Sequence, residues 1–426
     1  MKIILIGSGG REDVILKSIA KNPDIEKIYI IPGNGGSLDY AERVNISAED
    51  VDAIKDFAVK NDIDFAIVAP DDPLALGLVD KLEAENIKCF GPNKAAAEIE
   101  SSKIFAKALM KKYGIPTADY ETFNLDDIDG ALSYVAKSDY PVVIKADGLA
   151  KGKGVIIAEN FKQAREAVIG CLKNKMFGRS GEKIVIEKFL SGHEVTVMAF
   201  TDGESIIPLM SSMDHKRAKD GNKGLNTGGM GVIAPNPFYT PEIANECMNK
   251  IFLPTVNALK NEGRKFKGCL YFGLMLTNKG PYVIEYNSRF GDPEAEAVLP
   301  LLKTDLFEIM KAVADEKLNQ IKIEFENKFS CCVILASGGY PEKYITGNVI
   351  TFNNKELKKI PGVKIFHAGT KFQDGKLYTS GGRVLAVNAV ADDPETARAN
   401  AYNAVNNIQF DNMAFRSDIG TAHIKK

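Results

Sequence analysis

Within its first hundred residues the chain alternates short apolar strands with amphipathic helices, and that alternation restricts the fold more than any other feature. Lys2–Ile6 reads as a strand, and a helix over Arg11–Lys21 follows a glycine turn. Lys27–Ile31 reads as a second strand, stopped by Pro32-Gly33. Ser47 and Asp50 have the spacing of a capping box that opens a helix toward Asn61. Asp64–Ala69 reads as a third strand, a helix is expected after Pro73, and Lys88–Phe90 is a short fourth strand. Strands separated by helices pair as parallel neighbours through helical crossovers, so a doubly wound parallel sheet is expected at the N-terminus.

The texture changes after Gly114-Ile115-Pro116-Thr117. Pro141–Lys145 and Val155–Ala158 read as strands flanking a loop rich in glycine and lysine. A helix is expected over about Asn160–Leu172, followed by strands at Lys183–Phe189 and Glu194–Phe200. From about Lys328 short strands recur at Cys331–Ala336, Lys364–His367 and Arg383–Ala389, and a helix around Pro394–Asn406 closes a small α+β segment. The 426 residues suffice for about three domains of roughly 100–200 residues each.

Composition removes several function classes. With 54 basic and 56 acidic side chains the net charge is −2, without the basic excess of a nucleic-acid binder. Met1–Gly7 is too short an apolar run for a signal peptide, and no stretch approaches the ~18 apolar residues of a membrane span. Cys89, Cys171, Cys247, Cys269, Cys331 and Cys332 show no CxxC spacing, so reduced thiols are expected rather than disulfides or a zinc site. The expectation is a cytoplasmic, monomeric chain with no nucleic-acid or membrane partner.

Three stretches carry chemistry. Gly7-Ser8-Gly9-Gly10 follows a strand and opens a helix, so its amides could hold a phosphate or simply make a tight turn. A dinucleotide site fits poorly: Glu12 stands where a third glycine belongs, and no carboxylate ends the second strand. The second stretch runs from Val142 through Lys145, Gly148, Lys151, Gly152, Lys153 and Gly154 to Val155. Glycines let a backbone approach a triphosphate and lysines offset its charge, although the same residues also suit a solvated hairpin tip. The spacing is not that of a P-loop. The third stretch is Val283-Ile284-Glu285-Tyr286-Asn287-Ser288-Arg289. In a strand, residues two apart share a face, so Glu285 and Asn287 present two oxygen donors suited to Mg²⁺, with Arg289 expected further along that face.

The strand–Lys–Gly-rich loop–strand pattern, followed by Glu187-Lys188-Phe189-Leu190 and Gly192-His193-Glu194, resembles the ATP-grasp superfamily. The segments "GSGGRED", "PGNGGS", "FGPNKAAAEIESSK", "GIPTADY", "NTGGMG", "NSRFGDPE", "ASGGYP", "HAGTK" and "SGGRVL" resemble, in order and over essentially the whole chain, the glycinamide ribonucleotide synthetases. The chain departs from that family's pattern at Asp13 (usually His), Asp71 (usually Glu), Leu225 (usually Pro) and Glu296 (usually Gln).

The resemblance implies a pre-ATP-grasp substrate domain over 1–102 and an ATP-grasp domain over 103–326, with a flexible lid at about 118–192. A C-terminal α+β domain over 327–426 would complete the chain. It implies an ATP-dependent ligase that joins glycine to 5-phosphoribosylamine through a glycyl phosphate, with Mg²⁺ or Mn²⁺. Glu285 and Asn287 would ligate the metal. Lys103, Lys145, the loop Gly148, Lys151, Gly152, Lys153 and Gly154, and Glu187, Lys188, Phe189, Leu190 and Glu194 would hold ATP. Lys145, Arg289 and Asp214 would act in catalysis, Arg289 on glycine's carboxylate and Asp214 on the substrate amine. Gly7, Gly9, Gly10, Asn226, Gly228, Gly229, Gly291, Asp292 and Arg383 would line the substrate site, with His215 positional rather than a base.

Overall fold

The computed structural model describes residues 1–150 and 154–424. Strands β1 (Lys2–Gly7), β2 (Lys27–Pro32), β3 (Glu42–Arg43), β4 (Phe65–Val68) and β5 (Lys88–Phe90) form a parallel sheet in the order β3-β2-β1-β4-β5. Helices cover both faces, which is why β1 is unbroken apolar sequence from Ile3 to Ile6: Ile3 and Leu5 enter one core cluster while Ile4 and Ile6 enter another. The strand order reverses direction beside β1, so a crevice opens at its C-terminal end, where Gly7–Gly10 turns into the helix Gly10–Ile19. Two local expectations shift. Asp50, not Ser47, caps the second helix (Val51–Lys60), accepting from the Ala53 amide. Pro73 lies within the helix Asp71–Leu76 rather than ahead of one.

In the middle of the chain, β6 (Tyr120–Asn124), β7 (Val142–Ala146), β8 (Val155–Ala158) and β9 (Lys183–Lys188) form an antiparallel sheet ordered β6-β9-β7-β8. Helices Ile128–Lys137 and Phe161–Leu172 bury its inner face. The chain continues through β10 (His193–Thr201), β11 (Ile206–Pro208) and β12 (Met213–Asp214). A hairpin of β13 (Arg217–Lys219) and β14 (Lys223–Asn226) follows, then β15 (Gly231–Ala234), β16 (Gly268–Thr277) and β17 (Gly280–Asn287). A second antiparallel sheet runs β11-β10-β16-β17.

The last hundred residues add β18 (Phe329–Ser337), β19 (Thr351–Phe352), β20 (Val363–His367), β21 (Thr370–Gln373), β22 (Lys376–Thr379) and β23 (Arg383–Ala391). Their main sheet is ordered β12-β15-β18-β23-β20, with the helix Pro394–Val405 packed on it. Strands β12 and β15 come from the central segment yet hydrogen-bond into this C-terminal sheet. The seam carries Asp214 and the loop Asn226–Gly231 with it.

The strand pair β16–β17 is irregular where it matters. Gly273 pairs with Glu285, but Leu274 pairs with Val283, so Ile284 is an extra residue in β17. Val283 and Tyr286 both enter the core. Without the bulge, strict alternation would place Glu285 on the same face as Val283. The inserted residue turns Glu285 and Asn287 outward together.

All six cysteines are buried and unpaired. Among the described residues no helix is long and apolar enough to cross a membrane.

Candidate active site

Strand β7 ends against β17. Its Lys145 ammonium donates to the Ile284 carbonyl at 2.7 Å, the carbonyl of the bulge residue next to Glu285. Glu187 on β9 sits 2.9 Å from the same ammonium. Lys103, at the start of the helix Lys103–Tyr113, donates to the Gly148 carbonyl at 3.2 Å. Lys145 and Glu285, 140 residues apart in sequence, therefore lie side by side. Lys151, Gly152 and Lys153 lie outside the described residues. Gly148 and Gly154 frame that segment, Gly148 donating to Ser180 and the Gly154 carbonyl accepting from Ala146.

The Glu187 carboxylate is ion-paired on both oxygens, with Lys107 3.0 Å from the second, while the oxygen facing Lys145 makes no hydrogen bond. What this strand end can offer an adenine is its backbone and the half-buried Phe189 and Leu190, with Lys188 exposed beside them. Glu194, expected at the ribose, is open to solvent at the start of β10, 3.6 Å from Lys216.

Glu285 accepts from Lys216 at 3.3 Å, and that ammonium holds its carboxyl down to about 2, against the opposing effect of burial. It is ionised at neutral pH. Among the described residues no three His, Cys, Asp or Glu side chains are grouped to hold a metal. Two hard oxygens, a carboxylate and an amide, fit Mg²⁺ or Mn²⁺ when phosphate oxygens and water complete the shell.

A second cluster lies behind this face. Asp214 has a fully enclosed Oδ1 without a hydrogen-bond partner. Burial, then Glu294, push its carboxyl well above the usual range, with Lys216 and Arg383 opposing. Glu294 accepts from the Tyr271 hydroxyl at 2.9 Å and from Thr196 at 3.2 Å. Asp214, Thr196 and Tyr271, with Glu194, Lys216 and Gly273, line a small cavity beside Ile284. His215 is buried with its Nδ1 3.1 Å from the Gly231 carbonyl, a positional contact.

The substrate end differs from expectation in three respects. Strand β17 stops at Asn287, so Arg289 does not continue its face. Its guanidinium instead meets Glu100 at 3.0 Å, and Glu100 also accepts from the Ser288 amide and hydroxyl, leaving the Arg289 Nε buried and unpartnered. The Gly7–Gly10 turn is not an open phosphate cradle. The Gly9 amide donates to Glu12 at 2.6 Å, and the Glu296 carboxylate presses on the face of Gly10. Asp292 lies 3.5 Å from the Arg11 amide. Arg383 is committed too: it pairs with Asp292 at 2.8 Å and donates to the carbonyls of Asp292 and Gly228. Asn226 ends β14, exposed, and the Gly228 amide donates to the Tyr340 hydroxyl at 3.0 Å. Gly229 abuts Asp214, and Gly291 abuts Glu294. Of the family departures, Asp13 is buried against Lys17 at 2.7 Å and the His367 amide at 2.9 Å, and Glu296 is buried with an unpartnered Oε2.

Sequence reasoning missed Lys107, Lys216, Glu294 and Glu100. For Lys107 a signal existed. The helix Lys103–Tyr113 buries Ala106, Lys107, Leu109 and Met110, so a lysine occupies an apolar-face position. The others fall in polar loops or at a helix end, where nothing in the local pattern distinguishes them from solvated charge.

Comparison with known proteins adds four findings. Models described as phosphoribosylglycinamide synthetase N domain, ATP-grasp (A) domain and C domain match residues 1–100, 101–295 and 330–422. A phosphoribosylamine–glycine ligase of Caldanaerobacter subterraneus subsp. tengcongensis is 46% identical over 423 residues, covering 99% of this chain and 100% of that protein. The crystal structure of a phosphoribosylamine–glycine ligase from Thermotoga maritima superposes with a TM-score of 0.86 at 32% identity, covering 98% of this chain and 100% of that one. A biotin carboxylase from Campylobacter jejuni reaches a TM-score of 0.73 at 18% identity, covering 97% and 92%, a likeness of fold alone.

Proposed function

Because this chain belongs to the phosphoribosylglycinamide synthetase family, and so is an ATP-dependent ligase joining glycine to phosphoribosylamine in purine biosynthesis, we propose that its residues divide the work as follows. ATP phosphorylates the glycine carboxylate, and the amine of 5-phosphoribosylamine attacks the resulting acyl phosphate, releasing ADP and phosphate. No enzyme nucleophile is needed, so positioning and charge compensation carry the rate.

Lys145, pinned between Glu187 and the Ile284 carbonyl, holds the nucleotide phosphates together with Lys103 and the loop that Gly148 and Gly154 frame. Glu285 and Asn287 are the residues that would hold Mg²⁺ or Mn²⁺, which when bound offsets charge on the transferred phosphoryl group. Backbone from Glu187 to Leu190 receives adenine, and Glu194 the ribose hydroxyls. Asp214 is the proton acceptor for the attacking amine. Its unpartnered Oδ1 and its proton affinity, raised by burial and by Glu294, favour taking a proton from the amine. Arg289 retains a free, buried Nε for a substrate carboxylate. The walls of the amine substrate's pocket are Gly7–Gly10, Asn226–Gly229, Gly291, Asp292 and Arg383. Any phosphate there must compete with Glu12 for Arg11 and with Asp292 for Arg383, the two cations beside this turn.

The observation that carries this reading is the 2.7 Å contact of Lys145 with the carbonyl adjoining Glu285, since it sets a cation suited to phosphate beside a carboxylate suited to a metal. A coupled ADP assay tests it, with glycine and phosphoribosylamine omitted in turn. ADP release should require both, and release with either alone would overturn the substrate assignment.

A further inference from the structure

Nothing in the mechanism above uses Lys107, yet it is among the most enclosed charges in the protein, 3% exposed. It approaches one oxygen of Glu187 at 3.0 Å, while Lys145 approaches the other at 2.9 Å. It also donates to the Thr117 hydroxyl at 2.7 Å. One carboxylate thus serves two ammonium groups, and the trio carries one uncompensated positive charge in a buried place. Burying a net charge is costly unless an anion arrives to meet it. The Lys145 ammonium faces the cleft at the Ile284 carbonyl, whereas Lys107 is walled in behind Glu187.

We propose that Lys107 is a positioning residue for nucleotide binding: by occupying half of Glu187, it prevents that carboxylate from neutralising Lys145 and leaves the Lys145 charge available to phosphate. This rests on the reading of Lys145 as a phosphate ligand. Were Lys107 absent or uncharged, Glu187 would close on Lys145 as an ordinary one-to-one pair, and ATP would compete with an internal anion. The groups that face Lys107 are Glu187 on β9, Lys145 on β7, Asp119 just ahead of β6 and the Tyr120 ring at its start. Burial, reinforced by Lys145 and opposed by Glu187, brings the Lys107 ammonium down to about 8. The arrangement therefore weakens as pH rises through that value, because Lys107 loses its proton and releases Glu187 to Lys145.

The test is direct titration of the intact protein with Mg·ATP between pH 7 and pH 9, alongside turnover at saturating ATP. Lys107→Met should raise the dissociation constant for ATP roughly 10- to 100-fold at pH 7, the range spanned by a hydrogen bond to a charged group. Turnover at saturation should change much less. The wild-type constant should rise from pH 7 to pH 9, and Lys107→Arg, charged throughout, should remove that rise. Should Lys107→Met fail to fold, the wild-type and Lys107→Arg profiles still decide. Constants within about twofold for all three proteins at every pH would overturn the proposal. A wild-type protein that binds ATP as described but shows no glycine- and phosphoribosylamine-dependent ADP release would instead overturn the substrate assignment alone.

Discussion

Glu285 and Lys145 each meet an opposite charge inside the protein before any substrate arrives, Lys216 for the one and Glu187 for the other. Removing either leaves its partner a second contact, Glu194 for Lys216 and Lys107 for Glu187, so folding should survive. Turnover should not: Lys145→Ala and Glu285→Ala are each expected to lose about 10²–10³-fold in kcat with an unchanged melting temperature, the usual cost of a group that acts on developing charge. Near-normal kcat in both would remove the phosphate and metal assignments together. Asp214 behaves oppositely. Its folded proton affinity is raised by burial and by Glu294, so its ionised form weakens the fold at neutral pH. Asp214→Asn should raise the melting temperature slightly while turnover falls on the order of 10²-fold. A variant that loses stability, or keeps full activity, would contradict that role.

Among the elements, the bulge in β17 was invisible to pattern reading. Two-residue spacing predicted a shared face for Glu285 and Asn287, and they share one, but that face points away from the core only because Ile284 is inserted and resets the alternation after Val283. Arg289, read as a further step along that face, lies beyond the strand and answers to Glu100 in the first domain's last helix. The loop after β14 is equally dependent on its surroundings. Gly229 has φ +110°, and a Cβ there would collide with Pro293 and lie 2.6 Å from the Asp214 Oδ1. Gly229→Ala should cost about 1–3 kcal/mol in chemical denaturation and reduce activity by displacing Asp214. Preserved stability and activity would show that this close approach is dispensable.

Across the whole molecule, the first and last domains meet at His367. Its amide donates to Asp13, its carbonyl accepts from Asn34, and burial pushes its imidazole down to about 3. The fold thus holds this histidine neutral while the unfolded chain protonates it below about 6.5. Its contribution is fully present above that pH and is lost as pH falls toward 3, by up to about 1.4 kcal/mol per unit. Urea denaturation should show roughly 2 kcal/mol less stability at pH 5 than at pH 7 from this group, and His367→Asn should lessen that difference. An unchanged difference would mean the histidine is not held neutral.

The order of strands and helices in the first domain, the lysine–glycine loop, and the oxygen donors of β17 were all set by local chemistry, because apolar periodicity, glycine freedom and side-chain type act within a few residues. Long-range charge accounting required the folded molecule. Whether Gly7–Gly10 was open or filled by Glu12, whether Arg383 was free or bound to Asp292, and which lysines shared Glu187 all depend on groups brought together from distant positions. Electrostatic pairing in a buried site follows distance in space, and sequence spacing carries no record of it.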